Sequence, residues 1–415
     1  MKTKDFTPSS TGERDPWARV ASTLALLCSA AAATLSLAPP TAAASEGPAA
    51  PLPPSRNYEV HHLTLNGAGC KVAGIDAGAA VGTCNTPDGA SVRAFIWMEA
   101  TGVVDIGTLG GSSAGAGAID AGRVGGSSDI AGDMETHAYS WTAQEGMLDL
   151  GTLGGTFAGV SSVSGEALVG DSTTVAGHVH AFSWTPATGM IDLGTLAAGT
   201  ESAAADIHNG LIAGFSATDG FSGRRPVAWK TDGQMIDIIG EPIGASENGQ
   251  AMAVRNGLVV GFRRIATLET RAFAWREEQG LMDLGLVPGS NESFAFDTDG
   301  DRVVGQLSGV GGPTGTTARA FVWTKKKGMT AITPASITAR ATHVVNGRVL
   351  GVYHTPETNG TRVFLWTQRR GLVDVTPRDF PGGFAPAGID AEGRIAILFE
   401  DEDPANTRSA VLIPR

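Results

Sequence analysis

From Tyr58 onward the chain consists of short apolar runs broken every few residues by Gly, Asn or Asp, and the runs fall into a recurring set of four. The first ends in Ile-Asp or a relative: Ile75-Asp76, Ile119-Asp120, Ile207-His208, Val254-Arg255, Ile389-Asp390. The turn that follows is several times Asn-Gly (Asn209-Gly210, Asn256-Gly257, Asn346-Gly347). This is the strongest short hairpin signal, because both residues tolerate positive φ. The second run is apolar and closes on Gly, as at Gly170, Gly261, Gly305 and Gly351. In the third, a cation, Ala, an aromatic and a Trp recur: RAFIW at 93–97, HAYSW at 137–141, HAFSW at 180–184, RAFAW at 271–275, RAFVW at 319–323. The aromatic and the Trp are two apart, so on a strand they share one face while Ala and the variable residue take the other. The fourth run is apolar-x-Asp-apolar, as at Val103–Ile106 and Met282–Leu284.

Trp97, Trp141, Trp184, Trp229, Trp275, Trp323 and Trp366 follow one another at gaps of 44, 43, 45, 46, 48 and 43 residues, and Ile413 stands 47 further on, where an eighth is due. Four strands in about 45 residues, joined by hairpins, make one propeller blade. Blades stacked around an axis bury both sheet faces, with the Trp side chains filling the gaps. Tyr58 to Leu65 resembles a fourth segment, and Ser409 to Ile413 a third. The prediction is therefore an all-β propeller of eight four-stranded blades, with the N-terminal strand latching the last. An open β-solenoid is the alternative, and it would not need complementary half-units at its two ends.

The repeated His/Arg-Ala-Phe-x-Trp, the Asp-Leu-Gly-Thr-Leu-Gly-Gly at 149–155 and the Ile-Asp/Asn-x-Gly turns resemble the HAF family of extracellular repeats over nearly all of 58–413. The chain departs from that pattern at Arg225-Pro-Val-Ala-Trp229, at Ala331 in place of Asp, and in the last copy, which has no Trp. The resemblance implies a secreted, bacterial, repeat-built protein without an established activity.

Composition adds location. Lys2, Lys4, Arg14 and Arg19 precede an uncharged Ala/Leu-rich run, Val20 to Leu37, then Pro39-Pro40 and Ala42-Ala43-Ala44. This reads as a signal peptide over 1–44, with an uncleaved anchor as the alternative, followed by a Pro/Ala-rich linker over 45–57 and one repeat domain over 58–415. The net charge of −12 becomes −13 once residues 1–44 are removed, so nucleic acid is a poor partner. Cys70 and Cys84 flank a predicted hairpin, and in an exported chain they are expected to form a disulfide; two half-buried thiols are the alternative.

The residues that invite chemistry mostly recur. Asp105, Asp149, Asp192, Asp237, Asp283 and Asp374 each face a cation (Arg93, His137, His180, Arg225, Arg271, Arg362) one hairpin away. Six copies of one pair point to a structural strut and not to a catalytic group. Asp297, Asp299 and Asp301 have spacing suited to Ca²⁺, but they lie on a first hairpin turn, where Asp is wanted anyway. No nucleophile motif accompanies His61, His62, His178, His180, His343 or His354. The links between second and third runs (215–224, 263–270, 306–318, 352–361, 399–408) vary most in length. The expected function is a secreted, monomeric binding or structural module that recognises a glycan, surface protein or small molecule through that long-loop face, without a cofactor. An exported propeller hydrolase or lyase acting on a glycan or small metabolite is the alternative.

Overall fold

In the computed structural model, 32 strands and no helix are found among the described residues, which are 52–54, 57–196, 199–218, 223–240, 248–265, 269–312, 315–355, 357–358, 360–378, 383–400 and 408–415. All of these fall in one unit, Ala43–Arg415. The expected signal segment 1–44, most of the linker 45–57 and the acidic run 401–403 lie outside the described residues, as do parts of the long links.

The strands form eight antiparallel four-stranded blades. In blade 1 the order from the axis outward is Ala68–Asp76, Ala79–Asn85, Val92–Met98, Gly102–Asp105. Blades 2 to 7 repeat this pattern, with first strands Gly110–Asp120, Gly154–Ser164, Ser202–His208, Gly249–Arg255, Glu292–Thr298 and Thr338–Val345. Blade 8 takes Gly383–Ile389, Ile395–Glu400 and Arg408–Pro414 from the C-terminal end of the chain, and its fourth strand is Tyr58–Leu65, paired from Tyr58 opposite Pro414 to Leu63 opposite Ser409. The latch expected from the two half-units is present.

Packing closes the ring. The described buried residues form eight apolar clusters, each spanning two neighbouring blades. Phe95 and Trp97 pack backward onto Leu63 and Val411 of blade 8. Ala94 and Ile96 pack forward onto Val124 and Tyr139 of blade 2. The alternation read from the sequence thus decides which neighbour each side chain meets. Trp229 adds a hydrogen bond from its indole nitrogen to Leu193 O of the preceding blade, 3.0 Å away.

One register assignment is corrected. Trp366 lies opposite Val349, and the equivalent residue Ile395 lies opposite Leu412, so Leu412 and not Ile413 holds the eighth Trp position. Leu412 packs back toward blade 7, whereas Ile413 faces blade 1. The sequence count missed this by one because the blade 8 copy has no Trp to anchor it.

The Gly that ends each second run also has a geometric cause. Each first strand carries a β-bulge with one extra residue: Ala73, Gly117, Ser161, Ala205, Met252, Phe296, Thr342 and Ala387 in turn. The bulge swings a first-strand carbonyl across the neighbouring strand. A Cβ on Gly82, Gly126, Gly170, Gly214, Gly261, Gly305 or Gly351 would stand within 2.2 Å of that oxygen. The signature aromatic lies directly opposite this Gly in six blades, for example Phe95 opposite Gly82 and Phe364 opposite Gly351, and fills the space left bare. Blade 8 reverses the pair, with Ile397 opposite Ala410, and so keeps the volume.

Two sequence features take a different form. The Gly/Thr/Ser-rich link 306–318 is mostly strand, Arg302–Gly312 against Gly315–Thr324, and not an irregular loop. The end of the linker is tied down: Leu52 is buried in the blade 6–7 core, and Pro53 O accepts a hydrogen bond from Asp374 N at 2.9 Å.

Candidate functional site: the axial pocket

Below each bulge the first strand runs on for two or three residues and then turns into the second. The eight strand ends converge on the axis and enclose a pocket of about 590 Å³. It opens at the face where these short hairpins turn. Strand alternation places the long second-to-third links at the opposite face.

At the turn position the eight blades present Asp76, Asp120, Ser164, His208, Arg255, Asp299, Val345 and Asp390. Most act as acceptors for the next blade. Asp76 Oδ2 accepts from Ala121 N (2.8 Å), Asp120 Oδ2 from Gly165 N (2.7 Å), and Ser164 Oγ from Asn209 N (3.2 Å). His208 Nδ1 accepts from Asn256 N (3.2 Å), Asp299 Oδ2 from Gly347 N (3.1 Å), and Asp390 Oδ2 from Gly78 N (3.1 Å). The last of these runs from blade 8 to blade 1. A second tier lies deeper. Asp206 accepts from Ser162 Oγ (2.8 Å) and Val254 N (2.9 Å), and Asp297 from Val344 N and Thr298 N (both 2.7 Å).

The electrostatics show that these groups interact. Burial raises the Asp76 carboxyl above its usual range, and the Asp120 and Asp390 carboxylates add to the shift, against the Ala121 amide. Burial pushes Asp297 up to about 7; its two amide partners and Arg255 oppose this, and Asp206 reinforces it. His343, with Nδ1 at 2.9 Å from Thr342 Oγ1, is pushed down to about 4 by burial and is neutral. Burial, then the Arg255 charge, lowers His208, against Asp206 and Asp120. Met252 and Phe296, at two of the bulges, form an apolar stretch of the wall where Gly117, Ala205 and Ala387 leave room. The site therefore offers an acidic, partly desolvated mouth with two neutral imidazoles, an exposed guanidinium and one aromatic surface. Such a site can orient a small polar ligand.

None of the axial turn residues stands out in the sequence as part of a set, yet ring closure brings them around one pocket. They were missed because they are one blade apart in sequence and each looks like an ordinary turn residue. The legible signal was divergence at one repeat position among copies that otherwise agree.

The repeated carboxylates lie instead on the outer strands. Asp105, Asp149, Asp192, Asp237 and Asp374 pair with Arg93 (4.0 Å), His137 (2.8 Å), His180 (2.9 Å), Arg225 (2.9 Å) and Arg362 (3.0 Å). Arg271 departs, pairing with Glu269, and Arg319 donates to Thr333 O where Ala331 replaces Asp. All six aspartates, Asp283 included, also accept from the backbone amide two residues on, at 2.7–3.0 Å. Five of them are thus both strut and turn cap, and Asp283 is a turn cap.

Asp299 Oδ1 accepts from Arg302 N, and Asp301 stands on the same turn. Among the described residues no group of three or more His, Cys, Asp or Glu is placed to hold a metal ion. Cys70 and Cys84 are directly opposite, buried and joined by a disulfide. His61 lies near Glu59 and Trp97, and His178 beside His180, all away from the axis.

No family model and no curated protein matches the chain. Solved structures do. The β-propeller domain of the Trilobed protease from Pyrococcus furiosus matches over 81% of this chain and 92% of that one, at 9% identity and a TM-score of 0.47. Oligopeptidase B from Leishmania major matches over 82% of this chain and 54% of that one, at 9% identity and a TM-score of 0.49. A post-proline cleaving enzyme from Rickettsia typhi matches over 80% and 57%, at 10% identity and a TM-score of 0.48. This chain spans little more than half the length of the two peptidases.

Proposed function

We propose that the chain is an exported, non-catalytic binding module that holds a small polar ligand in its axial pocket. One observation carries this reading: eight structurally equivalent turn positions present Asp, Ser, His, Arg and Val, whereas the outer-strand position keeps Asp in six blades. A purely structural role favours one residue repeated, as at the outer strands. Divergence at the axis is what recognition of an asymmetric ligand requires. The pocket volume is within the range for small-molecule sites. The basic, apolar, small-residue order of 1–44, the disulfide and the HAF resemblance support export.

The test is a thermal-shift screen of the full chain against amines, amino acids, sugars and divalent metals, repeated with Arg255→Ala and Asp76→Asn. A ligand that raises the Tm of the wild type and loses that effect in both variants is the expected result. If every hit persists in the variants, the ligand binds elsewhere.

A hydrolase or lyase is the second reading, favoured by Asp297, which burial pushes up to about 7, with the Asp206 charge also acting on it at the pocket wall. A carboxyl that holds its proton near neutral pH can serve as a general acid. Turnover of glycosides that disappears in Asp297→Asn, with the Tm unchanged, would select this reading over the first.

A further inference from the structure

A second cleft, of about 480 Å³, lies at the same face between blades 7 and 8. Arg348, Arg369, Arg370 and Arg415 line it, with Tyr58 and one acidic side chain, Glu392. In a chain of net charge −12, four arginines lining one cleft are a local inversion of sign. Glu392 is already paired with Arg394 at 3.2 Å and does not neutralise them. Arg348 Nη1 donates to Ala391 O at 3.0 Å, which fixes its position at the cleft wall. No described residue pairs with the guanidinium of Arg369, Arg370 or Arg415. Burial raises the Tyr58 phenol, and the charges of Arg348 and Arg370 oppose this.

The repeat makes the feature specific. The same outer hairpin turn carries Glu99 in blade 1, Glu145 in blade 2, neutral residues in blade 3, Asp232 in blade 4 and Glu277-Glu278 in blade 5. In blade 6 it carries Lys325-Lys326-Lys327, and in blade 7 Arg369-Arg370. The basic turns are neighbours, and they continue the arc that the cleft begins.

We propose that this cleft is a binding site for the oxyanion groups of a multiply charged ligand, carboxylate or phosphate, independent of the axial pocket. Planar guanidinium groups match both oxyanions in bidentate fashion. Tyr58 supplies a further donor. The lysines of blade 6 receive the next charged group of a longer ligand.

The test is isothermal titration of the full chain at low salt with trigalacturonate and with inorganic tripolyphosphate, using maltotriose as the neutral control. The variants are Arg369→Glu/Arg370→Glu and, as a charge control at the opposite face, Arg264→Glu. The expected result is that at least one oxyanion binds and maltotriose does not. Affinity should fall tenfold or more in the double variant, stay within twofold in Arg264→Glu, and weaken with added salt. Comparing the two anions assigns carboxylate or phosphate as the preferred group. Absence of heat with both anions overturns the proposal. So does unchanged binding in the double variant, or an equal loss in Arg264→Glu, which would show a general charge effect.

Discussion

The hydroxyl of Ser409, in the last strand of the ring, accepts a buried hydrogen bond from the backbone amide of Val72, in the first blade, at 2.9 Å across 337 positions of sequence. The same hydroxyl donates to Cys70 O at 2.8 Å. One side chain therefore joins the two ends of the chain beside the disulfide. Ser409→Ala leaves both backbone groups buried without a partner, and the expected loss is about 1–3 kcal/mol in denaturant unfolding. Deleting 58–65 should go further, lowering the Tm and exposing the 408–414 strand to protease first. Unchanged unfolding in both variants would show that closure contributes nothing to stability.

The glycine opposite each bulge should be intolerant of even one methyl group. A Cβ at Gly170 would lie 1.9 Å from Gly159 O, so the backbone itself must shift to admit it. Gly170→Ala should cost at least about 1–3 kcal/mol, the usual range for overpacking. Ile397→Gly in blade 8 should also destabilise, and Ala410→Phe should rescue it, because that pair is the same arrangement reversed. Thermal melts of the single and double variants test this directly.

Two turns have a residue poorly suited to them. Ala77 and Ala121 have φ of 45° and 47°, where other blades place Asn209, Asn256 and Asn346 at 50–51°. Asn tolerates this left-handed region better than Ala. Ala77→Asn and Ala121→Asn should each raise the Tm, with gains of a few tenths to about 1 kcal/mol, the scale of other backbone-compatible turn substitutions. Lower Tm values would indicate that the small side chain is needed at the axial mouth.

Asp171, on the second strand of blade 3, is buried, and burial, helped by the Glu201 charge, pushes its carboxyl up to about 7 from 3.8. The folded state therefore holds a proton that the unfolded chain releases near pH 4. Stability from this group is fully present below that pH and is lost as pH rises toward 7. Asp171→Asn should flatten the pH dependence of the Tm between about pH 4 and 7 and make the protein more stable than wild type at pH 8. Parallel Tm curves for the two proteins across that window would contradict the assignment.

How much could be read beforehand follows from which interactions are local. Trp spacing, the Asn-Gly turns and the two half-units at the ends are local patterns, and they led to eight blades and the latch. The outer-strand pairs were legible for the same reason, since His180 and Asp192 lie one hairpin apart. The axial pocket was not, because Asp76, Asp120 and Asp390 meet only after the ring closes. The Gly–aromatic reciprocity was visible as two separate regularities, but the bulge that links them appears only in strand register. Leu412 was misplaced by one because hydrophobic spacing alone cannot fix register in a copy that lacks its marker residue.

The shared eighth sheet has a consequence for biogenesis. A chain delivered amino end first presents Tyr58–Leu65 long before Arg408–Pro414, its hydrogen-bonding mate, has emerged. Through that interval the early strand is an unsatisfied edge, open to pairing with the wrong chain. The blade is complete only once the final residues are released, and a truncation that removes 408–414 leaves that edge without its mate.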